Sequence, residues 1–112
     1  MKALVITDRN APLIIQELPD LRAGPGEAIV RIHAASLNHR DVWIQKGQYA
    51  GLKYPIVPGS DGAGVVVETV QAHDAVVPGD WTGKEVIINP ALFWGRTSAY
   101  QDPKSFRILG LP

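Results

Sequence analysis

The 112-residue sequence contains no cysteine. That absence excludes disulfides, thiolate nucleophiles, iron–sulfur clusters and every cysteine-based zinc site. It is compatible with a reducing compartment, and a cytoplasmic location is the expectation. An excess of one charge is also lacking, since eleven Lys and Arg balance eleven Asp and Glu. Nucleic-acid binding normally shows as clustered excess basic charge, so no nucleic-acid partner is expected. The same balance argues against a membrane-surface role. No apolar run approaches the roughly 18 residues of a membrane span. The "ALVI" after Met1-Lys2 is too short for the apolar core of a secretory signal. Histidine is scarce, and His33, His39 and His73 show no metal-ligand spacing, so no metal site is expected.

Breakers, by contrast, are plentiful. Eleven Gly and nine Pro fall between apolar runs, a pattern of many short strands and turns in one domain. "KALVIT" (2–7) and "LIIQEL" (13–18) read as strands joined by "DRNAP", and Gly24-Pro25-Gly26 marks a tight turn. "EAIVRIHAASLN" (27–38) reads as a longer strand with one mixed face and one apolar face. "AGVVVETV" (63–70) and "KEVIIN" (84–89) follow as strands, with a turn at Pro78-Gly79-Asp80 between them. Trp81 is expected to cover a barrel end. "PALFWGRTSAYQDPKSFRILGLP" (90–112) has no regular period and reads as an ordered irregular lobe, because Phe93, Trp94, Tyr100 and Phe106 are too apolar to leave in water. The fold class expected is mainly β: a small, partly open β-barrel (1–89) with one short helix, and an irregular lobe (90–112).

Two polar clusters interrupt this pattern. In "LNHRD", Asn38 is a favoured helix N-cap, and Asp41 can reach back as the acid of a capping box. "HRDVWIQKG" then reads as a two-turn helix closed by Gly47, too short to stand without packing of Val42, Trp43 or Ile44. His39 and Arg40 are solvated on this reading. A second reading places Asn38 at a strand-to-helix corner facing a ligand, and the two are compatible. In "VPGSDGAGVV", Gly59, Gly62 and Gly64 imply either positive φ or a close backbone approach. The glycines precede a strand rather than a helix, so neither a dinucleotide fingerprint nor a phosphate-binding loop is formed. Ser60 and Asp61 sit inside that corner.

Taken in order, "MKALVI", "GPGEAIVRIHAASLNHRD", "YPIVPGSDGAGVV", "VVPGDW" and "INPALFWG…FRILGLP" resemble the N-terminal, GroES-like catalytic domain of the medium-chain dehydrogenase/reductase family. The resemblance runs through nearly the whole chain, and it implies an alcohol dehydrogenase-like or quinone oxidoreductase-like parent. Zinc-dependent members carry a cysteine where Asn38 stands and a histidine where Ser60 stands. The lobe lacks the cysteines that hold a structural zinc in many members. The "LN-x-R-D…G-Q-Y" wording is instead similar to the zinc-independent branch, the quinone oxidoreductases and enoyl reductases, and no zinc is expected. It implies that Asn38, Ser60 and Asp61 form the catalytic corner. Asn38 and His39 would lie toward an NADPH or NADH cofactor, Tyr49 at the mouth of the substrate pocket, and Asp41 behind the corner. A hydrogen bond from Ser60 to Asp41 is expected to replace the orienting role of the metal.

No G-x-G-x-x-G in a βαβ unit occurs in the 112 residues. The chain therefore reads as a truncated domain with no Rossmann domain, lacking its closing strand and inactive alone. Its expected partners are a small-molecule substrate and a second copy through exposed strand edges. Two rival readings stand beside this one. They are a zinc-type alcohol dehydrogenase relative with degenerate ligands, and a non-catalytic GroES-like binding or assembly module.

Overall fold

A computed structural model describes residues 1–73 and 79–111. Among these residues seven strands and one helix follow in the order β1 (Lys2–Val5), β2 (Ile14–Glu17), β3 (Ala28–Ser36), α1 (His39–Gln45), β4 (Asp61–Thr69), β5 (Glu85–Ile87), β6 (Ala91–Leu92) and β7 (Arg107–Ile108). The architecture is mainly β, as the spacing of breakers predicts. Among the described residues the strands form three separate sheets, β1-β2, β3-β4-β5 and β6-β7. The chain divides into two compact units, one of Met1–Leu18, Ser36–Asp61 and Asn89–Pro112, the other of Pro19–Ala35 and Gly62–Ile88.

In the first unit β1 and β2 pair antiparallel, with Lys2 opposite Glu17 and Val5 opposite Ile14. Ile6 continues the chain into a bridge with Ile56, exchanging hydrogen bonds of 2.8 and 2.9 Å. Ile6, Ile44 and Ile56 form the core of this unit, with Tyr49, Leu52, Tyr54 and Leu111 packed around them. Each buried isoleucine contributes about 1.5–3 kcal/mol by leaving water. The seven-residue α1 is anchored through Ile44, which is fully buried, while Val42 and Trp43 stay about two-fifths exposed. Of the three packing candidates, one does the anchoring. Gly47 ends α1 as expected: at φ 68° its N–H donates to Ile44 O (3.0 Å) and that of Gln48 to Trp43 O (2.9 Å), a Schellman motif.

The lobe departs from its expectation in part. β6 and β7 close it as an antiparallel pair, and Trp94 meets Phe106 edge-to-face at 5.7 Å. Asp102 holds the turn between them by accepting from the N–H groups of Lys104 (2.8 Å) and Ser105 (3.0 Å). Phe93 and Tyr100, expected inside, are 69% and 65% exposed. Trp94 is also 41% exposed, and of the four aromatics only Phe106 is half-buried, because a two-stranded lobe encloses little interior.

In the second unit β4 is the central strand. Ala63, Gly64 and Val65 face Ile87, Val86 and Glu85 of β5 in antiparallel register. The apolar face expected on β3 is present in the sequence but not buried, and Ile32 is 47% exposed. Alternation marks which residues share a face. It does not say that something covers that face. Trp81 is half-buried, with the Lys84 ammonium 4.6 Å from its ring centroid. Pro78 of the expected turn lies outside the described residues; Asp80 accepts from the N–H of Thr82 at 2.8 Å.

The glycine-rich segment serves three different purposes. Only Gly59 has positive φ, at 102°. Gly62 and Gly64 belong to β4 rather than to a corner. A Cβ on Gly64 would lie 2.0 Å from the carbonyl oxygen of Arg31, so the two backbones touch there. At Gly62 a Cβ would press on Ile32 and Ile88.

Candidate functional site

The site lies where β3 runs into α1 and meets the residues just before β4, all within the first unit. Asn38 is the N-cap of α1, with extended φ and ψ of −110° and 149°. Asn38 and Asp41 occupy the capping-box positions, and the Asp41 carboxylate accepts from the Asn38 N–H at 3.0 Å. The amide of Asn38 is turned the other way. Its Nδ2 donates to Asp61 Oδ2 at 2.7 Å and to Ser60 Oγ at 3.3 Å. Asn38 therefore starts the helix through its backbone and joins a polar cluster through its side chain.

Ser60 is the one polar residue buried in this cluster, 8% exposed. Asp61 is exposed and opens β4; it also accepts from Ser36 Oγ at 3.0 Å. The expected hydrogen bond from Ser60 to Asp41 is not formed. Both Asp41 oxygens are occupied by backbone donors, Oδ2 by Asn38 and Oδ1 by Gly59 N–H at 3.2 Å. The Ser60 hydroxyl bonds Asn38 instead. Asp41 acts by pinning the backbones on either side of the Asn38–Ser60 contact.

The Asn38 amide, and after it the Ser36 hydroxyl, holds the Asp61 carboxyl below the ordinary value of 3.8; partial desolvation opposes them and the Arg40 charge helps. A depressed folded-state pKa gives a contribution complete above the unfolded value and lost as pH falls through the folded one. The Asn38–Asp61 contact should therefore be unchanged from about pH 7 to about 5 and break only in more acid solution. Following the Asn38 side-chain amide by NMR through that range checks it. Loss of the contact near neutral pH would contradict the assignment.

The remaining candidates stand around this cluster. Tyr49 packs on the isoleucine core with the Arg40 guanidinium 5.9 Å from its ring centroid. His39 is exposed, its ring 5.3 Å from that of Trp43. Arg40 was expected in solvent but is half-buried, and its Nη2 donates to Leu109 O at 2.6 Å. Its Nε is buried without a partner. Sequence reasoning missed Ser36 and Arg40, whose contacts span 25 and 69 residues. Ser36 did carry one signal: a hydroxyl two residues before Asn38 at the end of a strand. Gly110 lies against the same segment, and a Cβ on it would fall 2.1 Å from Gly59 O.

Among the described residues no group of three or more His, Cys, Asp or Glu could hold a metal ion. No helix there is long and apolar enough to cross a membrane. Residues 24–110 match the family model described as the alcohol dehydrogenase GroES-like domain. The chain belongs to that family. This GroES-like domain superimposes on an NAD-dependent alcohol dehydrogenase with a TM-score of 0.81 and 40% identity, over 99% of this chain and 34% of that one. The alcohol dehydrogenase of Aeropyrum pernix gives 0.78 at 28% identity, over 99% and 34%. In sequence the domain is 47% identical over 68 residues to a zinc-type alcohol dehydrogenase-like protein of Schizosaccharomyces pombe, covering 54% of this chain and 19% of that protein. It is 31% identical over 80 residues to an acryloyl-coenzyme A reductase of Metallosphaera sedula, covering 71% and 24%. The GroES-like domain thus spans about a third of those structures and a quarter or less of those relatives.

Proposed function

We propose that the chain is the substrate-side domain of a zinc-independent, NAD(P)H-dependent oxidoreductase that reduces a quinone, an enone or a similar activated carbonyl compound. The supporting observation is the direction of the Asn38 amide. An ionised carboxylate accepts and cannot donate, so the 2.7 Å contact with Asp61 fixes an N–H toward the cluster. An amide N–H does not ligate zinc, and a serine hydroxyl already accepting a hydrogen bond is a poor ligand. Where zinc-dependent relatives have two metal ligands, this corner holds a hydrogen-bonded pair. The residues do not fit the ion.

Alcohol oxidation benefits from a Lewis acid at the hydroxyl. Reduction of an activated carbonyl compound asks for a positioned hydride donor and hydrogen-bond donors at the developing oxyanion. The nicotinamide, when bound, supplies the hydride. On this reading Ser60 and Asn38 face the substrate oxygen, His39 lies toward the cofactor and Tyr49 borders the substrate. The same reading assigns residues 1–89 to the barrel portion of the parent's domain and 90–112 to its lobe, without zinc. A cytoplasmic location and homodimers through strand edges belong to the same reading.

The similarity to a zinc-type alcohol dehydrogenase-like protein favours a second reading, a zinc enzyme relative with altered ligands. Assays on the protein carrying this domain separate the two. The first reading predicts NAD(P)H-dependent reduction of a quinone or enone that survives a strong zinc chelator. It also predicts a kcat lowered about 10²-fold by Ser60→Ala. Activity abolished by the chelator and restored by zinc would sink it.

A further inference from the structure

Ser36, a residue with no role so far, shares an oxygen with the Asn38 amide. We infer that Ser36 and Asp61 together form an orientation lock that fixes which end of the Asn38 amide faces the site, so that Ser60 presents a hydroxyl donor selective for a carbonyl oxygen. The selectivity for a carbonyl rests on the oxidoreductase reading above; the lock does not.

The two ends of an asparagine amide have nearly the same shape and opposite hydrogen-bonding character. What holds one orientation is a partner that can only accept or only donate. Ser60 Oγ can do either, so the 3.3 Å contact with Asn38 sets no direction by itself. Asp61 Oδ2 can only accept, and at 2.7 Å it takes Nδ2. Ser36 Oγ donates to the same oxygen from 3.0 Å, which holds the carboxylate in place and favours its ionised form. Both Asn38 N–H bonds are then spent, one on Asp61 and one on Ser60. Ser60 accepts through its oxygen, and its own hydrogen becomes the donor left for a ligand. A hydroxyl that accepts while it donates is a stronger donor. A ligand oxygen with lone pairs and no hydrogen matches that arrangement.

Ser36 is thus a positioning residue acting through Asp61, and its test reads the amide directly. In the purified 112-residue chain labelled with ¹⁵N, one Asn38 side-chain proton should be shifted downfield by the carboxylate. Its exchange should be about tenfold slower than in a free asparagine, the equivalent of one net hydrogen bond. Asp61→Asn should remove the downfield shift and speed exchange, and Ser36→Ala should weaken both, while each leaves backbone amides of α1 unchanged. Ser36→Thr, which keeps the hydroxyl, should restore both. An Asn38 amide exchanging at the free rate in the unmodified chain, or one unaffected by Ser36→Ala, overturns the lock. Cyclohexenone and cyclohexenol added separately probe the second half. Perturbation of Ser60 by the ketone alone supports selectivity. Equal perturbation, or none by the ketone, overturns the selectivity while leaving the lock standing.

Discussion

Gly64→Ala will cost the domain about 4 kcal/mol or more, an exceptional loss for one methyl group. A Cβ at that position would sit 2.0 Å from Arg31 O and 3.0 Å from the Cα of Ile32, both of them backbone atoms of β3. A flexible side chain can swing aside, but here a strand has to move. β4 is the middle strand of a three-stranded sheet and β3 lies on its edge, so moving β3 away from β4 opens one of the two pairings that hold the sheet. Gly51→Ala is the control. Gly51 has φ 74° but nothing within 4 Å of the added carbon, so only the left-handed backbone penalty of about 1–2 kcal/mol applies. Urea titration of both variants checks the ordering. Similar midpoints for the two would show that β3 and β4 are not in backbone contact at Arg31.

The second large effect belongs to Gly110→Ala and falls on the site. The new Cβ would meet Gly59 O at 2.1 Å, and the position has φ 82°. The backbone penalty of about 1–2 kcal/mol adds to an overpacking cost of about 1–3 kcal/mol. Relief requires residues 59 and 60 to back away. That motion stretches the Gly59 N–H bond to Asp41 and the contact between Asn38 and Ser60. The substitution lies 50 residues from Ser60 in sequence, yet it should both lower the urea midpoint and abolish the Asn38 amide signature. A variant that lowers stability but leaves that signature intact would mean that the approach of Gly110 to Gly59 does not set the corner.

How much of this could be read from the sequence follows from the range of each interaction. The start of α1 at Asn38, its end at Gly47 and the strand after Gly62 depend on neighbours within a few residues, and periodicity and capping chemistry reveal those. The meaning of the glycines was legible only as a pair of alternatives, positive φ or close approach, and the chain uses both, at Gly59 and Gly64. Asn38 and Ser60 could be proposed as neighbours only because the segments around them resemble a known family. Local windows cannot tell which carboxylate a serine meets, so the expected bond from Ser60 to Asp41 is absent while Ser36 bonds Asp61. Two backbone N–H groups had already taken Asp41. Arg40 looked like a solvated helix residue, because the carbonyl it binds belongs to Leu109 in the lobe.

The central claim is that this corner is built to hydrogen-bond and not to hold a divalent ion. Calorimetric titration of the purified chain with zinc, beside the double variant Asn38→Cys with Ser60→His, tests it most directly. The account predicts no saturable zinc site in the native chain and a new one in the variant. A stoichiometric zinc site in the native chain that Ser60→Ala removes would contradict it.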